Sequence, residues 1–240
     1  HSARHAKGAF RKGRVLSAGD IALLAEAGVE RVFAARLEPD DMPEDEAAEA
    51  VARPLAGEGA PVQAPFTGRA NLHAAAAGVA LVDVERVRAL NRLHESLTVA
   101  TVPAFERVDA RQMLATVKII PFAAPRSVVR QALELIGERP LVSVAAFTPH
   151  RAGLVITRLP QTKPSLFAKS EAAIRERLEA LGSTLGDVRV TGHHTGEIGN
   201  AVAALRASGH GPILVFGASA IVDRGDVVPQ GVVAAVGEVL

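Results

Sequence analysis

At 240 residues, with 48% hydrophobic and 22% charged side chains, the chain is long and apolar enough to bury a substantial core. Its 27 basic and 26 acidic residues leave a net charge of +1, and aromatics make up 3% with no Trp or Tyr. Phosphate neutralisation lacks a basic surplus and base stacking lacks aromatic platforms, so nucleic acid is not expected as a partner. The absence of Cys excludes disulfides, thiolate metal sites and a cysteine nucleophile. No apolar run reaches the roughly 18 residues of a membrane span, and the expectation is a soluble cytoplasmic protein without a membrane partner.

The chain opens on a basic cluster, Arg4, His5, Lys7, Arg11, Lys12 and Arg14, read as a solvated arm. Ser17 with Asp20 three residues on predicts a capping box. Ile21, Leu23, Leu24 and Ala27 continue the helix, and Gly28 closes it. Residues 29–37 read as a strand, and the acidic stretch 38–49 as a loop entering a helix at about Glu44. Gly and Pro make 57–68 irregular. Strands are predicted at 79–82, 97–102 and 113–122, and helices at 84–93 and 127–136. The segment 137–149 is a connection holding one short strand.

From Arg151 the pattern becomes regular. Strands at 153–157, 188–191 and 213–216 alternate with helices that Ser165 and Thr195 are placed to cap and that Gly182 and Gly209 are placed to close. A last helix starts near Val228, and Glu238-Val239-Leu240 reads as the opening of a fourth strand in a truncated domain. Such alternation implies a parallel sheet. The expected organisation is an N-terminal mixed α/β accessory region, 1–149, followed by an α/β domain, 150–240.

Ligands of open parallel sheets bind beyond the carboxyl ends of the strands, where helix N-termini offer unpaired amides. Three loops fall there. The first carries Thr157, Arg158, Thr162, Lys163 and Ser165, with Lys169 one turn into the helix; these residues suit a phosphate, or are a cap with solvated cations. The second, Gly192-His193-His194-Thr195-Gly196-Glu197, invites a metal reading, but adjacent histidines seldom chelate one ion, and a surface loop is preferred. In the third, Gly217, Ala218, Ser219 and Ala220 let a backbone approach a ligand closely. Asp223 and Asp226 follow. Asp226 either positions Mg²⁺ and a phosphate or caps the next helix.

The stretch "ILVFGASAIVDRGDVVPQGV" resembles the signature of molybdopterin-binding domains of molybdopterin adenylyltransferases and molybdotransferases. "KGRVLSAGDIALLAEAGVERVFAARLEP" is similar to the segment that leads into that domain in molybdotransferases, and "TRLP", "KPS" and "VKIIPFA" are similar to stretches of bacterial molybdopterin-binding proteins. The resemblance implies a three-layer α/β/α, mostly parallel sheet that binds molybdopterin or its adenylated form. It assigns Gly217, Ala218 and Ser219 to the phosphate pocket and Asp226 to a catalytic or Mg²⁺-positioning role; the ligand phosphate is expected against the amides of Gly217 to Ala220, with Lys163 and Ser165 facing it. It further implies a homo-oligomer that works with a nucleotidyltransferase domain or other cofactor-biosynthesis proteins. This chain has Gly-Ala-Ser-Ala where the adenylyltransferases have Gly-Gly-Thr-Gly, and His193-His194 in place of their acidic pair. A transferase, a non-catalytic pterin carrier and another phosphoryl-transfer enzyme on the same scaffold all remain open.

Overall fold

The computed structural model describes residues 3–5, 8–10, 14–161, 163–235 and 237–239. Lys7, Arg11 and Lys12 of the basic cluster, Thr162 of the first loop and Leu240 of the expected fourth strand lie outside the described residues. The chain divides into two compact units, residues 1–146 and 147–240.

The first unit begins with a hairpin of β1 (Ala3–His5) and β2 (Gly8–Phe10), then helix α1 (Ala18–Glu26). The capping box forms as expected: Ser17 Oγ accepts from the Asp20 amide, and the Asp20 carboxylate accepts from the Ser17 amide. Arg14 pairs with that carboxylate at 2.7 Å and lies over the Phe10 ring. The strand expected at 29–37 is absent; these residues have no regular structure and no ladder partner among the described residues. Their apolar pattern suits a strand, but a strand without a neighbour leaves its backbone groups to water.

There follow β3 (Asp41–Pro43), α2 (Glu44–Leu55), β4 (Arg69–His73), β5 (Gly78–Val82), α3 (Val84–Leu93), β6 (Leu97–Thr101), β7 (Arg107–Val108), β8 (Met113–Ile119), β9 (Ala123–Pro125), α4 (Arg126–Ile136) and β10 (Val142–Ala146). All pairings among these strands are antiparallel, in sheets ordered β4-β8-β6, β10-β5-β7 and β3-β9. Helix α2 buries Ala47, Ala48, Val51, Ala52 and Leu55, a one-sided stripe whose alanines let it lie close to the sheet. Leu72, Leu90, Leu114, Ile119 and Ile136 complete the same core.

The second unit holds β11 (Arg151–Arg158), α5 (Pro164–Glu179), β12 (Thr184–Gly192), α6 (Thr195–Ala207), β13 (Ile213–Phe216) and α7 (Val227–Ala234). Its sheet is wholly parallel, in the order β12-β11-β13. The central strand is buried from Ala152 to Thr157, as a parallel strand covered on both faces must be. Leu154 and Ile156 pack with Leu178 of α5, and Val155 packs with Ala201 and Leu205 of α6. The two helices therefore cover opposite faces.

The described residues form a mixed α/β structure with seven helices among them, and the expectation of a mostly parallel sheet needs correction. Among the described residues, parallel ladders are found in the three strands of the second unit, with one isolated parallel bridge between Ala56 and Val142 of β10; the other sheets are antiparallel. The expectation extrapolated from the regular alternation after Arg151, whereas earlier strands are short and pair in antiparallel fashion. Two helix starts also move. Ser165 is the second residue of α5, not its cap, because the first turn already closes from the Leu166 amide to the Lys163 carbonyl. Thr195 is the first residue of α6, and His194 takes the cap position. Glu238 and Val239 form no strand.

Candidate functional site at the carboxyl edge of the parallel sheet

The strand order sets the place. The chain leaves central β11 through α5 to β12 on one side, then returns through α6 to β13 on the other. Connections that depart in opposite directions leave a crevice between the loops after β11 and β13, where ligands of open α/β sheets bind.

Thr157 lies near the end of β11 and is 2% exposed. Alternation puts its side chain on the face of Val155, towards α6. Its Oγ1 accepts from the Ala218 amide at 2.7 Å and lies 2.9 Å from His193 Nδ1. The other ring nitrogen, Nε2, lies 2.9 Å from Ser219 Oγ. One chain of contacts, Ala218–Thr157–His193–Ser219, thus ties together the ends of all three strands.

His193 is held from behind as well. Its amide donates to the Arg158 carbonyl at 3.1 Å. The preceding Gly192 amide donates to Glu197 Oε2 at 2.7 Å, and a Cβ on Gly192 would stand 2.8 Å from that carboxylate. A glycine there leaves room for the Glu197 clamp. His194, in contrast, is exposed.

Asp226 stands at the cap position of α7, yet its carboxylate does not cap that helix. Its Oδ2 turns back to accept from the amides of Val222 and Asp223. These two bonds hold the carboxyl below the usual carboxylate range; partial burial opposes them, and the nearby His193 ring adds to the lowering. Asp223 Oδ1 accepts from the Gly225 amide at 2.6 Å, and Gln230 Nε2 donates to the Arg224 carbonyl at 2.8 Å. The loop is fastened largely by its own side chains.

Thr157, Gly217, Ala218 and Ser219 are therefore brought together, with His193 among them and Asp226 nearby. Ala218's amide is taken by Thr157, whereas those of Ser219 and Ala220 have no partner among the described residues. Both of these residues are exposed. Lys163, Ser165 and Lys169 are exposed at the start of α5, and no hydrogen bond joins them to residues 217–220 among the described residues. In the sequence His193 is half of a histidine pair and a residue that could touch a ligand if its loop folds over the site, with nothing to mark its two ring contacts. Its place between Thr157 and Ser219 depends on the register Thr157↔Thr191, which no local pattern announces.

No group of three or more metal-ligating side chains occurs among the described residues. Asp223 and Asp226 each have one oxygen committed to backbone amides. Mg²⁺ commonly takes one or two carboxylates and draws its other ligands from water and substrate phosphates. These residues fit an ion carried with a phosphate, not a cage built by protein alone.

Residues 1–36 match a family described as a domain of unknown function, DUF8806. That match ends before the second unit. No curated protein and no solved structure matches the chain. Among the described residues, no helix is long and apolar enough to cross a membrane.

Proposed function

We propose that the second unit is a three-layer molybdopterin-binding domain, which binds molybdopterin or its adenylated form between the loops that follow β11 and β13. The observation that carries the reading is the Thr157–His193–Ser219 chain at the reversal point of a β12-β11-β13 sheet. It presets the Gly217-Ala218-Ser219-Ala220 turn, where the sequence resembles the pterin-domain signature.

In this reading the ligand phosphate rests on the exposed amides of Ser219 and Ala220, with Lys163, Ser165 and Lys169 supplying charge and hydrogen bonds from the start of α5. Gly217 and Ala218 shape the turn, Thr157 anchors it, and Asp223 and Asp226 hold a Mg²⁺ ion that accompanies the phosphate. That ion would neutralise phosphate charge. The chain works as a homo-oligomer in molybdenum cofactor synthesis, beside a nucleotidyltransferase activity.

Calorimetric titration of the chain with molybdopterin, with and without Mg²⁺, tests the reading. Saturable binding that Ser219→Ala weakens is expected, and no binding by the unmutated chain rejects it. Assays with ATP and molybdate then separate a transferase, which converts the ligand, from a carrier, which only holds it.

A further inference from the structure

We propose that His193 is a positioning residue locked in one tautomer. Thr157 donates its hydroxyl proton to Nδ1, Nε2–H donates to Ser219 Oγ, and the Ser219 proton is thereby turned outward to an oxyanion of the ligand. The last step rests on the ligand reading above; the tautomer does not.

The argument is an accounting of one buried hydroxyl. Thr157 Oγ1 has one proton and two lone pairs. The Ala218 amide can only donate, so it occupies a lone pair. Among the described residues the other partner of that oxygen is His193 Nδ1. If Nδ1 carried a proton, two donors would point at Thr157, and its own proton would be buried without an acceptor. Unmet buried donors are strongly disfavoured, by roughly tenfold to a hundredfold in population. Nδ1 therefore accepts, and the ring proton resides on Nε2.

The consequence passes to Ser219. With Nε2–H donating to it at 2.9 Å, Ser219 Oγ is an acceptor, and its own proton is free. Ser219 is exposed, so that proton points to solvent or ligand. This is the reverse of a serine nucleophile, whose histidine must accept from the serine hydroxyl. The contacts look like a Ser–His–Thr triad, but the protons run the other way. Ser219 becomes a preset hydrogen-bond donor to an anion.

The ring ¹⁵N shifts of the ¹⁵N-histidine-labelled chain at pH 8, assigned through His193→Gln, read the tautomer directly. The expected result is a protonated Nε2 and an unprotonated Nδ1 at His193. Thr157→Ser should keep that signature, whereas Thr157→Val should lose it, giving the averaged shifts of a free ring. A protonated Nδ1, or averaged shifts in the unmutated chain, overturns the proposal without any ligand. Molybdopterin titration then checks the outward proton: Ser219→Ala and Thr157→Val should each weaken binding about tenfold, and Thr157→Ser should not. Unchanged affinity in Ser219→Ala overturns the donor role. Failure of the unmutated chain to bind instead rejects the ligand reading, and the ring shifts still decide the tautomer.

Discussion

Thr157 and Ala218 are 61 positions apart in the chain, yet the amide of one lies 2.7 Å from the hydroxyl oxygen of the other. This bond fixes the turn after β13 to the end of β11. Thr157→Val keeps the shape of the side chain but leaves the Ala218 amide unpaired beside a buried position. A loss of about 1–3 kcal/mol is expected, seen in urea unfolding of the second unit and as faster exchange of the Ala218 amide. Thr157→Ser restores the acceptor and should recover most of the loss.

Helices α6 and α7 approach through glycine. A Cβ on Gly231 would stand 2.7 Å from Ile198 Cγ2 and 2.8 Å from its Cβ, and Ile198 is fully buried. Neither side has room to move cheaply, so Gly231→Ala should displace α7 and cost about 1–3 kcal/mol. Ile198→Ala removes Cγ2, though not the Cβ at 2.8 Å, so it relieves part of the clash and opens a cavity. The double variant should therefore be more stable than the two single losses sum to, since contacting residues couple. Additive losses in a denaturant double-mutant cycle would show that the two helices do not meet there.

Much of the fold could be read because local signals and packing agree. The capping box at Ser17 and Asp20, the helix over Val84–Leu93 and the strand over Ile213–Phe216 each combine propensity with a burial pattern. What escaped is non-local. Strand β4 is too polar and short to stand out, and exists because β8 pairs along it. The segment 29–37 has the right residues for a strand but no ladder neighbour among the described residues. At the site, loop positions followed from the α/β alternation. The junction at His193 did not, because it depends on where β12 stops relative to β11.

Asp226 links its loop to pH. Its carboxyl is held below the ordinary carboxylate value by the amides of Val222 and Asp223, with His193 adding to the effect. A lowered folded-state value means that the ionised form stabilises the folded loop. That contribution is fully present above the unfolded value of about 3.9 and is lost as pH falls through the lower folded value. Hydrogen exchange at the Val222 and Asp223 amides should therefore stay protected through pH 5, after correction for intrinsic rates, and lose protection only below the ordinary carboxylate range. Asp226→Asn should weaken protection at pH 7 and flatten the acid dependence. A protection profile that is the same in both proteins would remove Asp226 as the fastener.

The outer edge of β6 carries the last test. Among the described residues this strand pairs with β8 alone, so its far side would present unpaired backbone groups. Asn91 on α3 covers part of that edge. Its Oδ1 accepts from the Val99 amide at 2.7 Å, and its Nδ2 donates to the Val99 carbonyl at 2.8 Å, as a neighbouring strand would. At neutral pH a carboxamide supplies both a donor and an acceptor in this spacing, and a carboxylate supplies acceptors alone. Asn91→Ala should cost about 1 kcal/mol and speed exchange at Val99. Asn91→Asp at pH 7 keeps the acceptor but sets a carboxylate against the Val99 carbonyl, so it should be at least as damaging. Acidification protonates that carboxylate and restores a donor; repulsion from the carbonyl raises its folded-state pKa above the unfolded value, so the deficit of Asn91→Asp relative to the unmutated chain should shrink as pH falls towards about 4 and stay small below it. A deficit that stays constant with pH would mean that the side chain acts by filling space, and not by standing in for a strand.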